Sequence, residues 1–143
     1  MMKPEECIFF QLAKAGQMAA RYWTSRLTDI HITAAQSMVL GFLHESDQVT
    51  SRELGERVML DSATLTGILD RLEKAALIER KIHPEDRRAL SVCLTESGRQ
   101  VTGSLVTLAE TANQSFLDSL TSEEQLIFRM LLRKLCRMNR GTG

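Results

Sequence analysis

Four charged side chains stand in a row at Glu85, Asp86, Arg87 and Arg88, directly behind Pro84. Two carboxylates beside two guanidiniums can simply solvate a turn. Alternatively, a carboxylate can aim an arginine into a region of negative potential. A second group with chemical reach lies upstream in LDSATLTGILDRLEK. There Ser62, Thr64, Gly67, Arg71 and Lys74 share one face of a helical wheel, with Ala63 and Thr66 at its margins. Cys7, Cys93, Cys136, His31, His44 and His83 complete the candidates for nucleophilic or metal chemistry. These six are scattered. No pair has metal-ligand spacing, no cysteine pair forms CxxC, and no serine sits in a nucleophile-elbow context. Nothing points to an enzyme or a metal site, and nothing calls for a cofactor.

The elements that must position these residues are legible from their caps. Thr33-Ala-Ala-Gln36, Thr50-Ser-Arg-Glu53 and Thr121-Ser-Glu-Glu124 fit the capping box, in which a hydroxyl and a side chain three residues on each accept from the other's amide. Asp61 and Thr95 are further N-cap candidates. Apolar stripes at steps of three or four accompany the caps. One long helix is predicted over about 5–30, through Ile8, Leu12, Trp23, Leu27 and Ile30. A short helix follows Thr33 with Met38, Val39, Phe42 and Leu43, and a shorter one follows Thr50 with Leu54 and Val58. The helix after Asp61 carries Leu65, Ile68, Leu69, Leu72 and Ala76. Residues 77–82 and 89–94 shift towards period two, with Leu90, Val92 and Leu94 alternating with Ser91 and Cys93, so a β-hairpin is predicted around PEDRR. Two more helices follow, one through Val101, Leu105, Leu108, Ala112, Phe116 and Leu120, the other over 122–139.

The fold expected is mostly α with a small β-hairpin wing (α+β). Helix, short connection, longer helix and hairpin in that order make a winged helix-turn-helix. The amino end of its second helix offers hydroxyls and methyls to base edges in a major groove. An ordinary amphipathic helix with ordinary caps is the bland alternative. The terminal stripes are broad, and a two-fold dimer would bury them; folding back on the chain's own middle is the competing solution. The expected organisation is a helical dimerisation region at 1–32 and 100–143, flanking a DNA-binding unit at 33–99.

The totals agree with this. With 143 residues, 43% apolar and 25% charged, the chain has an ordinary globular composition. Lys+Arg and Asp+Glu both number 18, which excludes a polycation but not a local basic surface. No apolar run approaches the roughly 18–20 residues of a membrane span. The amino terminus lacks a signal-peptide pattern, so no membrane partner and a cytoplasmic location are expected.

LDSATLTGILDRLEKAALIER, the wing residues DRRA and the closing LTESG together resemble the MarR-type transcriptional regulators, and the resemblance covers nearly the whole chain. It implies a homodimer on a pseudo-palindromic double-stranded DNA operator, acting as a repressor. Ser62, Ala63, Thr64, Thr66 and Arg71 would lie in the major groove, and Thr50, Ser51 and Arg52 on phosphates. In the wing Arg88 would enter the minor groove while Asp86 fixes its direction. Arg87 would meet a phosphate or an internal partner. A narrow A·T-rich minor groove attracts a guanidinium on physical grounds too.

Such regulators respond to a small lipophilic or phenolic effector or to oxidation of a cysteine. Trp23, Met38 and Phe42 are candidates for an effector pocket, with plain core as the other reading. Cys7 is the redox candidate, since a helix amino terminus favours a thiolate; because it opens the apolar run CIFF, a structural thiol competes. Tyr22 lies about 22 Å further along a continuous helix, so only a partner subunit could bring it near. Cys93 and Cys136 read as structural.

Overall fold

Each predicted cap forms. The computed structural model describes residues 1–138. At Thr33 the hydroxyl accepts from the Gln36 amide at 3.1 Å, while the Gln36 side chain accepts from the Thr33 amide at 3.0 Å. The Thr50–Glu53 pair repeats this at 3.2 and 2.8 Å, and Thr121–Glu124 does so at the same distances. Asp61 accepts from the Thr64 amide at 2.9 Å and Thr95 from the Gly98 amide at 2.9 Å. These bonds fix the starts of α2 (Ala34–Glu45), α3 (Ser51–Val58), α4 (Ser62–Lys74), α5 (Glu96–Phe116) and α6 (Ser122–Met138). Gly98 is required for a steric reason, because a Cβ there would collide with the Leu77 carbonyl.

The first helix is shorter than its apolar stripe. α1 runs Ile8–Arg26 between 3-10 turns at Pro4–Glu6 and Thr28–Ile30. Leu27 is buried where the chain turns, and His31 at φ 58° ends the segment. The stripe outlasts the helix because the 3-10 turn still carries Ile30 onto the core. In α2 the buried face is Val39, Leu40 and Leu43; Phe42 packs at its margin, and Met38, predicted on the stripe, is exposed. Ala76 also leaves its predicted stripe. It lies beyond α4 at φ 57° and is exposed. The fifth helix ends at Phe116, before Leu120.

The hairpin has a third member. β1 (Val49–Thr50), β2 (Ile78–Ile82) and β3 (Leu90–Leu94) form an antiparallel sheet in the order β1-β3-β2. With β3 central, Ser91 and Cys93 are buried together with Val92 and Leu94, whereas Leu90 is exposed. The expected alternation therefore does not separate water from core. A strand covered on both faces loses that pattern.

The core gathers Leu54 and Val58 of α3, Leu65, Ile68, Leu69 and Leu72 of α4, Ile78 of β2, and Val92 and Leu94 of β3 around the α2 face, with Leu105 of α5. Each such side chain contributes about 1.5–3 kcal/mol on burial, so α4 is seated by its leucines and leaves its other face free. Two compact units divide at Met1–Ala109 and Glu110–Gly143, the division falling inside α5. In the second unit Ala112 and Leu117 are buried, while Leu126, Ile127, Met130, Leu131 and Leu135 of α6 are exposed. Residue 139, predicted to close the last helix, and the tail behind it lie outside the described residues. Among the described residues no helix is long and apolar enough to cross a membrane.

Candidate nucleic-acid interface

α3 and α4 meet through a three-residue connection in which Met59 takes φ 55° and the Leu60 amide donates to the Gly55 carbonyl at 3.3 Å. Gly55 permits the close approach, since a Cβ there would stand 3.3 Å from the Leu65 side chain. Above this contact lies a cleft of about 380 Å³, with Ser51, Arg52, Glu56, Ser62 and Thr66 at its walls and Leu60 and Leu65 beneath. The outer face of α4 exposes Ser62, Ala63, Thr64, Thr66 and Arg71.

Two of those hydroxyls are already committed as donors. Thr64 Oγ1 donates to Asp61 Oδ2 at 2.6 Å, and Thr66 Oγ1 donates to the Ser62 carbonyl at 2.7 Å. What they offer outward is a methyl group and acceptor lone pairs. The Thr64 hydroxyl and amide hold the Asp61 carboxyl below its ordinary range.

Thr50, Ser51 and Arg52 open α3. The Thr50 hydroxyl is consumed locally, accepting from the Glu53 amide and donating to Glu53 Oε2 at 2.9 Å. Bonds from the Thr50 amide and hydroxyl hold the Glu53 carboxyl below its usual value. Thr50 is half-buried, while Ser51 is exposed. Arg52 is almost fully exposed and lies 3.4 Å from Glu56, an i,i+4 pair that gives little stability on a wet surface.

The wing tip is a set of backbone bonds. His83 N–H donates to the Ala89 carbonyl at 2.9 Å, Ala89 N–H to the Asp86 carbonyl at 3.0 Å, and Arg88 N–H to Asp86 Oδ1 at 2.9 Å. The Glu85 amide donates to His83 Nδ1 at 3.2 Å. Asp86 thus fixes the main chain under Arg88 and does not hold the guanidinium itself. Arg87 and Arg88 are exposed, and neither forms an ion pair among the described residues.

Two further arginines lie outside the predicted contact set. Arg80 of β2 bonds Asp70 and Glu73 of α4, both at 2.8 Å. Carboxylates at i,i+3 before an arginine-bearing strand were the available signal. Arg99 pairs with Asp47 at 3.2 Å, and the other oxygen of Asp47 accepts from the Leu94 amide at 2.9 Å.

A model of the MarR family matches residues 32–90, the stretch that holds α2, α3, α4 and the wing. A solved structure described as a probable transcriptional regulator from Pseudomonas aeruginosa is 31% identical, with a TM-score of 0.86, covering 93% of this chain and 99% of that one. The chain belongs to the MarR family. It is a MarR-family transcriptional regulator with the family's winged-helix fold. Among its relatives, an organic hydroperoxide resistance transcriptional regulator from Bacillus subtilis is 36% identical over 97 residues, 68% of this chain and 66% of the relative. The Bordetella bronchiseptica regulator BpsR, whose structure concerns control of DNA binding by 6-hydroxynicotinic acid, is 29% identical. Its TM-score is 0.88, with 95% of this chain and 97% of that one covered.

In this MarR-family regulator the effector candidates lie on α1 and α2. Trp23 donates its indole N–H to Ser37 Oγ at 2.8 Å, which ties α1 to α2. Phe42 packs on the core, and Met38 points outward. Cys7 is half-buried at the N-cap of α1 without a side-chain capping bond. The Tyr22 hydroxyl accepts from Arg26 at 2.9 Å. Cys93 is buried, and burial, followed by the Asp47 charge, pushes its thiol up. Cys136, read as structural, is exposed, as are its neighbours along α6.

Proposed function

We propose that the protein is a homodimeric, cytoplasmic repressor whose winged helix-turn-helices grip a pseudo-palindromic operator. The observation that carries this reading is a pair of exposed guanidiniums, Arg71 on the hydroxyl-bearing face of α4 and Arg88 at the wing tip, neither in an ion pair among the described residues. Ser62, Ala63, Thr64, Thr66 and Arg71 meet base edges, the two threonines through methyls and lone pairs. Ser51 and Arg52 meet phosphates, and Thr50 serves chiefly to cap α3. Arg88 enters the minor groove and Arg87 takes a phosphate.

Dimerisation is supported by the terminal helices. α1 buries none of its residues, and α6 exposes a row of leucine, isoleucine and methionine; each helix by itself leaves apolar surface for a second copy to cover. Release by a small lipophilic or phenolic effector is supported by the 6-hydroxynicotinic acid named for BpsR. A thiol switch at Cys7 is the second reading, favoured by the hydroperoxide-resistance relative. Gel-shift titration across salt tests the main reading. The logarithm of affinity should fall linearly with the logarithm of salt, and Arg52→Ala should reduce that slope by about one. Absent or salt-insensitive binding to every duplex in a random pool would end it.

A further inference from the structure

We propose that Arg80 is a positioning residue that sets the angle of the wing against the recognition helix by clamping Asp70 and Glu73. The inference rests on the reading of α4 and the wing as the DNA contacts. Its two terminal nitrogens each hold a different carboxylate of one helix at 2.8 Å, and its side chain is only 22% exposed. A guanidinium is a planar fork with fixed donor directions, so two anchors restrict rotation as well as distance.

The hairpin needs such a tie at this point. Ile78, Val92 and Leu94 anchor its inner half in the core, but the last ladder pair, Ile82 opposite Leu90, is exposed on both strands. Arg80 stands opposite Val92, two residues before Ile82, where apolar anchoring gives out. From there the chain runs to the tip that carries Arg88. Freed from α4, the outer arm would swing on the exposed pair, and Arg88 would be delivered to the groove with less fidelity.

The clamp also masks two negative charges on the helix that bears Arg71 and Lys74, and the two effects predict opposite outcomes. Affinity is measured on a duplex recovered from a random-sequence pool by the unaltered protein. Arg88→Ala is introduced into three backgrounds: unaltered, Arg80→Gln, and the doubly neutral Asp70→Asn with Glu73→Gln. The last keeps side-chain shape and serves if Arg80→Gln does not fold. Arg88→Ala should cost about tenfold in the unaltered protein and under about twofold in both others, with Ser62→Ala costing the same factor throughout. The doubly neutral protein should bind more weakly than the unaltered one despite its added positive charge. An equal cost of Arg88→Ala in all backgrounds, or tighter binding by the doubly neutral protein, overturns the inference alone. No cost of Arg88→Ala in the unaltered protein overturns the wing reading and the inference with it.

Discussion

Asp86 accepts the backbone N–H of Arg88 at 2.9 Å through its side chain, and that bond shapes the wing tip without engaging either neighbouring guanidinium. The carboxylate bends the chain, and the arginine side chain is left to project. Asn keeps the accepting oxygen and should substitute for Asp86, whereas Ala should not. Binding to operator DNA should fall by about tenfold, ~1.4 kcal/mol, for Arg88→Ala, most on A·T-rich flanks. Asp86→Ala should approach that loss and Asp86→Asn should stay near the unaltered affinity. A cost for Arg99→Ala as large as that for Arg88→Ala would remove the wing assignment, because Arg99 is engaged with Asp47 away from the tip.

Ala76 at φ 57° sits in a backbone region that disfavours a Cβ. Replacing it by glycine relieves that strain and adds some unfolded-state freedom, the first effect being larger. Ala76→Gly should raise stability by about 0.5–1 kcal/mol. A denaturant midpoint that stays put or falls contradicts this.

The caps give the protein an acid-side dependence. Asp61 titrates below its ordinary 3.8 in the folded state because Thr64 donates two bonds to its carboxylate. Its stabilising contribution is therefore complete above that value and disappears as pH drops through the lower folded value. Asp61→Asn caps without titrating. The unaltered protein should lose stability relative to this variant on going from about pH 5 to pH 2. Parallel stability curves over that interval would show the cap charge to be immaterial.

Cysteine chemistry separates the two sensing readings. Burial holds Cys93 protonated at neutral pH, so it should resist alkylation until the protein unfolds. If Cys7 is the switch, Cys7→Ser should keep its DNA when peroxide is added. Release of DNA from that variant by peroxide would show that Cys7 is not the switch.

Local chemistry wrote much of this fold in readable form. The capping boxes at Thr33, Thr50 and Thr121 each close within three residues, so identity and spacing suffice to find them. The leucine stripe of α4 states which side is buried and, by subtraction, which side stays exposed. Limits appeared where a neighbour's identity was needed. Thr64 and Thr66 read as free hydroxyls, but they donate to the Asp61 carboxylate and the Ser62 carbonyl.

The sequence by itself determined the helix starts, the hairpin and its charged tip, and the order that makes a winged helix-turn-helix, because each rests on bonds or periodicities a few residues long. Only the tertiary structure decided that a two-residue strand at Val49 makes β3 central and buries Ser91 and Cys93. It alone set Asp47 against Leu94 and Arg99, 47 and 52 residues away. It alone clamped Arg80 to α4. Contacts across such separations leave no period in the chain. They come into being when the core has fixed where helix and strand lie.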